Sequence, residues 1–196
     1  MTTKEEVLAC SVSNFTKFGS KRFTMDELAS KLGISKKTIY KYFNSKEDLV
    51  IQCVELLIEN FKSDINIIIT NKNADPITSI ILIYKKAFAH ISHFKPSFIF
   101  GLKKYYPKAN DIFDTFREFI LNSVIFQLLE TAKSLGYIKP EVNLRLFCDL
   151  YFLRFEEIAL KNNTFFDNYS NEELLNHFIV YNLQGITTPN YKLNFE

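Results

Sequence analysis

The sequence predicts an all-α protein, with a small basic helical unit followed by a larger, aromatic-rich one. Three observations carry this expectation. Gly and Pro number only five each in 196 residues, too few breakers for a many-stranded sheet. Hydroxyl-x-x-acid signatures of helix starts recur at Thr3/Glu6, Thr24/Glu27 and Ser170/Glu173, with Ser45/Asp48 a near match. In each, the hydroxyl and the acid satisfy backbone N–H groups that the first helical turn leaves open. Apolar residues recur at helical spacing, as with Leu8, Val12 and Phe15.

The elements follow in order. A first helix spans 4–18 and ends at Gly19. Short helices cover 25–32, stopping at Gly33, and 36–43. A long helix runs 46–69 and turns Leu49, Cys53, Leu56, Leu57 and Phe61 inward. The polar stretch 70–75 connects it to the next helix, where Asp75-Pro76 supplies an N-cap and a proline at the first helical position. Helices are expected over 76–93, 96–105, 110–135, 143–162 and 171–186, with Gly136 and Pro140 punctuating the gap before 143. The tail from Thr187 is expected to be frayed or loosely docked.

Composition excludes several classes. Hydrophobic residues make up 47% and charged residues 23%, ordinary for a globular protein. Cys10, Cys53 and Cys148 are odd in number and far apart. They fit buried thiols in a reducing compartment better than a disulfide framework or a zinc site. The N-terminus does not read as a signal peptide. No apolar run approaches about 18 residues, so no membrane span is expected, and the expected location is cytoplasmic. His90 and His93 are three apart, but no further ligand lies nearby, so no metal is expected. There is no Gly-rich phosphate loop and no nucleophile elbow. Neither a cofactor nor an enzymatic activity is expected.

Charge and rings are unevenly spread. Lys17, Lys21, Arg22, Lys31, Lys36, Lys37, Lys41 and Lys46 face only Asp26 and Glu27 within 17–46, a local charge of +6 in a chain of net +2. Of 20 Phe and 10 Tyr, only Phe15, Phe18, Phe23, Tyr40, Tyr42, Phe43 and Phe61 precede Tyr84. Two short helices joined across Gly33 make a helix-turn-helix. On the second, Ile39, Tyr42 and Phe43 fall on the core side. Lys36, Lys37, Tyr40, Lys41 and Asn44 fall on the other. On helical spacing alone this is either a solvated lysine face with one stray tyrosine or a recognition helix. A recognition helix uses such side chains: lysine donates to guanine O6 and N7, and tyrosine meets a thymine methyl or a phosphate.

The stretch FTMDELASKLGISKKTIYKYFNSKEDLV (23–50) resembles the DNA-binding signature of the TetR family of bacterial transcriptional regulators. The resemblance is strong over about 4–60 and a matter of general plan beyond. It implies a three-helix reading domain, 1–47, and a helical effector-binding and dimerisation domain, 48–196. It places Lys36, Lys37 and Tyr40 in the major groove and Thr24, Thr38, Tyr42 and Lys46 on phosphates, with Ser35 serving either way. Thr24 and Lys46 stand at helix starts, where backbone N–H groups also favour phosphate. The departures are Lys37, where a small residue is common, and Lys41, which varies among such proteins.

The stretch 94–119 is dense in aromatics, which read either as core or as cavity lining. The resemblance implies an apolar effector pocket among the middle helices. Candidate lining residues are Tyr84, Phe88, Phe98, Tyr105, Phe113, Phe116 and Phe119, with Phe100 beside them and His90, His93 and Arg117 as polar anchors. The segment LKKYYPK (102–108) also reads as a basic-aromatic nucleic-acid patch. That reading is set aside because a dedicated DNA unit is present. The expected function is a repressor that binds operator DNA as a homodimer and is released by a small, largely apolar molecule. The rival is a helical ligand-binding or adaptor protein that keeps the motif without using DNA. The last two long helices are the expected dimer glue. Leu146, Leu150 and Leu153 are expected inward, and Leu174, Leu175, Phe178, Ile179 and Leu183 supply more apolar surface than one core needs.

Overall fold

The computed structural model describes residues 2–71, 74–155 and 164–193. Among them the architecture is all-helical. The elements are α1 (Lys4–Phe18), α2 (Met25–Leu32), α3 (Lys36–Ile39), α4 (Lys46–Ile69), α5 (Pro76–Ile91), α6 (Pro96–Tyr105), α7 (Pro107–Phe119), a π-helical turn π1 (Ile120–Ile125) and α8 (Phe126–Ser134). There follow α9 (Leu144–Phe155), α10 (Thr164–Asn168), α11 (Asn171–Leu175), a second π turn π2 (Asn176–Val180) and α12 (Tyr181–Ile186). No described helix is long and apolar enough to cross a membrane.

Helices α1, α2, α4 and α6 begin and end where the sequence expects, and explicit signals mark both ends of α1 and α2. Thr3, Thr24 and Ser170 each close a reciprocal capping box. The Ser45 signal closes one residue off. Its hydroxyl accepts from the Asp48 N–H, while the shorter Asp48 carboxylate accepts from the Asn44 N–H at 2.7 Å.

Elsewhere the structure departs from expectation. The helix expected over 36–43 is α-helical only to Ile39. Beyond it, Lys41 donates to the Thr38 carbonyl and Tyr42 to that of Ile39, so the last turn tightens to i→i+3 bonds. Helix α5 stops two residues short of 93. The helix expected over 110–135 starts at Pro107 and contains π1, and that over 171–186 contains π2. Of the helix expected over 143–162, residues 156–162 lie outside the described residues. In the last helix the Asn182 amide donates to the carbonyls of His177 and Phe178, both at 2.9 Å, and so collects acceptors next to the wide turn.

The chain packs as two compact units. The first runs through Asn60 and takes in His93–Phe116, and the second holds Phe61–Ser92 and the residues from Arg117 on. In the first, Val7, Phe15, Leu28, Ile39, Phe43, Leu49 and Cys53 are buried together with Phe98 and Leu102 of α6. Each fully buried side chain of this size contributes roughly 1.5–3 kcal/mol. Helix α6 joins this unit by close backbone approach. The Lys95 N–H donates to the Thr16 carbonyl at 2.9 Å. A Cβ on Gly19, where φ is +87°, would lie 3.1 Å from the Ser97 carbonyl oxygen.

In the second unit Ile77, Ile80, Ile81, Tyr84, Leu121, Ile125, Leu129, Leu174, Leu175, Ile179 and Leu183 form the core. Of the two states expected for the tail, frayed or loosely docked, it takes the docked one, through Tyr191. Ile138 pairs with Thr187 in an isolated antiparallel bridge. Thr188 donates to the Tyr137 carbonyl. The Tyr191 hydroxyl donates to Asp75 at 2.7 Å, and its ring lies 4.9 Å from that of Tyr137.

Candidate functional site

The reading head is assembled by local rules. At the start of α2 the Thr24 hydroxyl accepts from the Glu27 N–H, and the Glu27 carboxylate accepts from the Thr24 N–H at 2.6 Å. That backbone bond holds the Glu27 carboxyl below its ordinary value. Gly33 adopts the left-handed conformation at φ 64°, ψ 30°. Ile34 then donates to Ala29 and Gly33 to Ser30, the paired bonds that close a helix C-terminus. Ser35 caps α3 by accepting from the Thr38 N–H at 3.1 Å.

This frame sorts α3 and its continuation into two faces. Ile39 and Phe43 are buried, while Lys36, Lys37, Tyr40, Lys41 and Asn44 are exposed. Tyr42, expected on the core side, is half-buried and donates its hydroxyl to the Thr2 carbonyl at 2.9 Å. To donate to a phosphate it must first release Thr2. Lys36 lies 2.9 Å from Asp26, an exposed pair that raises the lysine's pKa. Such a pair is worth little in stability, so Lys36 remains available to a stronger acceptor.

The other expected phosphate contacts also have internal partners. Thr24 gives its hydroxyl proton to Glu27 at 2.9 Å. Thr38 lies 2.9 Å, hydroxyl to hydroxyl, from Ser35. Lys46 is half-buried and donates to the Phe23 carbonyl at 2.7 Å. Burial first, then the Lys21 charge, pulls its pKa below the ordinary lysine value. Its ammonium carries three donors, so a phosphate can be added without breaking the Phe23 bond. Sequence reasoning left Lys21 and Arg22 out of the site. Both are exposed in the loop between α1 and α2, and the signal that marks them is the +6 charge of their segment.

The second unit contains an apolar cavity of about 10 Å³ lined by Ile80, Tyr84, Leu121, Ile125, Leu129, Phe147, Cys148, Ile179 and Leu183. That is room for roughly one water molecule. Burial pushes the Cys148 thiol up to about 11 and raises the Tyr84 hydroxyl as well. Both π turns border this cavity, through Leu121 and Ile125 of π1 and Ile179 of π2.

Of the ten expected ligand residues, Tyr84 lines the cavity. Phe88 is buried with its ring 6.5 Å from that of Tyr84. His90 lies 2.9 Å from Asp64, whose other oxygen meets Lys86 at 3.1 Å. The His90 bond, ahead of Lys86, holds the Asp64 carboxyl below its ordinary value. Arg117 is half-buried and Phe119 exposed. The remaining five fall in the first unit. There Phe98 is core, packed on Phe94 at 5.4 Å, Phe113 and Phe116 are half-buried, and His93 and Tyr105 are exposed. Among the described residues, no cluster of three metal-ligating side chains occurs.

Residues 8–53 match the family described as bacterial regulatory proteins, tetR family. This segment is a TetR-family DNA-binding domain. The HTH-type transcriptional regulator YvaF of Bacillus subtilis is 26% identical over 167 residues, covering 84% of this chain and 86% of that protein. A TetR-family regulator from Agrobacterium tumefaciens has the same fold, with a TM-score of 0.73 at 15% identity over 94% of this chain and 97% of that chain. FadR from Bacillus subtilis, solved with stearoyl-CoA, gives a TM-score of 0.68 at 20% identity over 94% of this chain and all (100%) of that chain. The protein is a DNA-binding transcriptional regulator.

Proposed function

We propose that this TetR-family regulator is a homodimeric repressor that binds operator DNA through α3 and is released by a small, largely apolar molecule. The observation that carries the DNA part is the exposed set Lys36, Lys37, Tyr40 and Lys41 opposite buried Ile39 and Phe43. Lys36, Lys37 and Tyr40 read bases, and Thr24, Thr38, Tyr42 and Lys46 bond phosphates, with Ser35 and Lys41 beside them. In functional terms 1–47 is the reading domain and 48–196 the effector and dimerisation domain. An adaptor that keeps the motif without using DNA has no need of this cationic face.

The effector part rests on the aromatic-rich composition and on the cavity lined by Tyr84. A regulator needs two states that a ligand binds unequally. A hundredfold release of DNA requires about 2.7 kcal/mol of such difference. A one-water cavity has to widen to admit an effector, and the two π turns beside it are where helices commonly carry functional adjustment. The lining suits an apolar molecule with a single polar end. That FadR was solved with stearoyl-CoA accords with this chemistry.

Capture of genomic fragments by the purified protein, followed by sequencing, tests the reading. The expected result is a small set of fragments sharing an inverted repeat, among them the promoter flanking the protein's own gene. Uniform recovery of all sequences would refute the repressor reading. The effector reading fails if no apolar or acyl compound displaces such a fragment.

A further inference from the structure

The end of α6 lies in the same compact unit as the recognition helix. Phe100 is 60% exposed and Tyr105 40%. Lys103 and Lys104 between them are exposed too. The Lys104 ammonium sits 5.4 Å from the centre of the Phe100 ring and 5.5 Å from that of Tyr105. Lys21, from the loop between α1 and α2, holds its ammonium 4.9 Å from the same Tyr105 ring. One ring therefore gathers two cations from separate segments of the chain.

An aromatic face attracts a cation without neutralising it. Among the described residues, Lys21, Lys103 and Lys104 form no ion pair. Gathering like charges without an acidic partner costs repulsion. The cluster is continuous with the reading head, because the Lys21 carbonyl lies 3.4 Å from the Lys46 ammonium at the start of α4.

We propose that Lys21, Lys103 and Lys104, held in place by Tyr105 and Phe100, form a second phosphate-binding surface that extends the grip on duplex DNA beyond α3. The proposal rests on α3 being the DNA-facing element. Duplex DNA suits the cluster because it presents a phosphate charge about every 1.7 Å along its axis. Cations set side by side therefore all find partners, and the Tyr105 hydroxyl adds a donor. The contact is independent of sequence and adds affinity rather than specificity.

The test measures binding of the full chain to a random-sequence duplex of about 40 base pairs across 50–200 mM salt. Each lost phosphate contact lowers the slope of log K against log salt by about 0.9. The Lys103→Gln/Lys104→Gln double variant should therefore show a slope shallower by about 1.8. Its deficit against wild type should shrink roughly tenfold between 50 and 200 mM. A reference pair in the second unit, Lys85→Gln/Lys192→Gln, should keep the wild-type slope, and thermal midpoints should stay unchanged because Lys103 and Lys104 are exposed. Tyr105→Ala should weaken duplex binding even though both lysines remain. A wild-type slope in Lys103→Gln/Lys104→Gln, or an equal loss in the reference pair, overturns the proposal. If Lys46→Ala still weakens binding in that case, the DNA reading of the head survives. Absence of any duplex binding by the wild type overturns both.

Discussion

At the scale of single residues, Lys36, proposed to read bases, is loosely held, and Lys46, proposed to bond a phosphate, is firmly held. Lys36 is tied only to exposed Asp26, whereas Lys46 is half-buried on the Phe23 carbonyl. Lys36→Ala or Tyr40→Ala should cost about 1–3 kcal/mol on the operator and relax base preference. Asp26→Asn should do the opposite and tighten binding a few-fold, since it frees Lys36 and removes a negative charge from the face. Anisotropy titrations on cognate and random duplexes check both, and a weakening in Asp26→Asn would show that the pair helps to place Lys36. Lys46→Ala should weaken all sequences alike and also lower the unfolding midpoint, a coupling that the sequence alone does not disclose. The cysteines give a second residue-scale prediction. Cys53 and Cys148 are buried and their thiols raised, so at pH 8 they are mostly un-ionised and shielded. Iodoacetamide should label half-buried Cys10 first, as read by peptide mass. Because Cys148 lines the cavity, a bound effector should change its labelling rate, and a compound that relieves DNA binding without doing so acts elsewhere.

At the scale of elements, boundaries were legible wherever a side chain or a glycine writes the signal into a few adjacent residues. Thr3, Thr24, Gly19, Gly33 and the Asp75-Pro76 start all fall where expected, and the outward lysine face of 36–44 with them. The π turns were not legible. A turn with one extra residue leaves the apolar pattern of 110–135 and 171–186 nearly intact, and what it changes is which residues face the cavity. Ile80, Leu121, Ile125, Leu129 and Phe147 consequently do not stand among the expected lining residues, and Ile179 and Leu183 are expected at the dimer interface instead. The aromatic stretch 94–119 misled for a related reason. Ring density reports burial or exposure of large side chains but not which element they pack on, and half of the expected pocket residues belong to the unit that carries the head. The glycines separate two kinds of constraint. Gly33 has φ +64° with open space where a methyl would go, while Gly19 combines φ +87° with the Ser97 backbone at 3.1 Å. Gly33→Ala should cost about 1 kcal/mol and Gly33→Asn less. Gly19→Ala should cost about 3 kcal/mol, because the Ser97 carbonyl belongs to a backbone and cannot swing away. Urea denaturation of the three variants checks the order, and equal costs at Gly19 and Gly33 would mean that α6 yields easily.

At the scale of the whole molecule, the question is what covers the apolar side chains that one chain leaves in water. The sequence predicts Leu146 and Leu150 facing inward on α9, with Leu153 completing the stripe. Instead Leu146 is 56% exposed and Leu150 52%, while Leu144 and Cys148 take the inward places. The Leu153 side chain lies outside the described residues. Leu174, Leu175, Ile179 and Leu183 are spent on the chain's own core. That removes them as glue and leaves Leu146 and Leu150, one turn apart on α9, together with half-buried Phe178 of π2 and exposed Tyr181 of α12. A reading head with one short helix contacts too few bases for selectivity, so two heads spaced about 34–36 Å apart, or a multiple of this, are needed. A two-fold dimer presents the same patch twice, and paired helices burying the α9 leucines against a second copy satisfy both needs. Sedimentation at micromolar concentration should therefore give about twice the 22.9 kDa chain mass. Leu146→Glu with Leu150→Glu should raise the dimer dissociation constant about a hundredfold, the equivalent of ~2.7 kcal/mol. Unlike a core substitution, it should leave the helical content intact. It should also abolish selective operator binding while sparing the salt-dependent affinity for random duplex, since each head keeps its phosphate contacts and loses only its partner. A dimer that survives both glutamates would move the interface off α9.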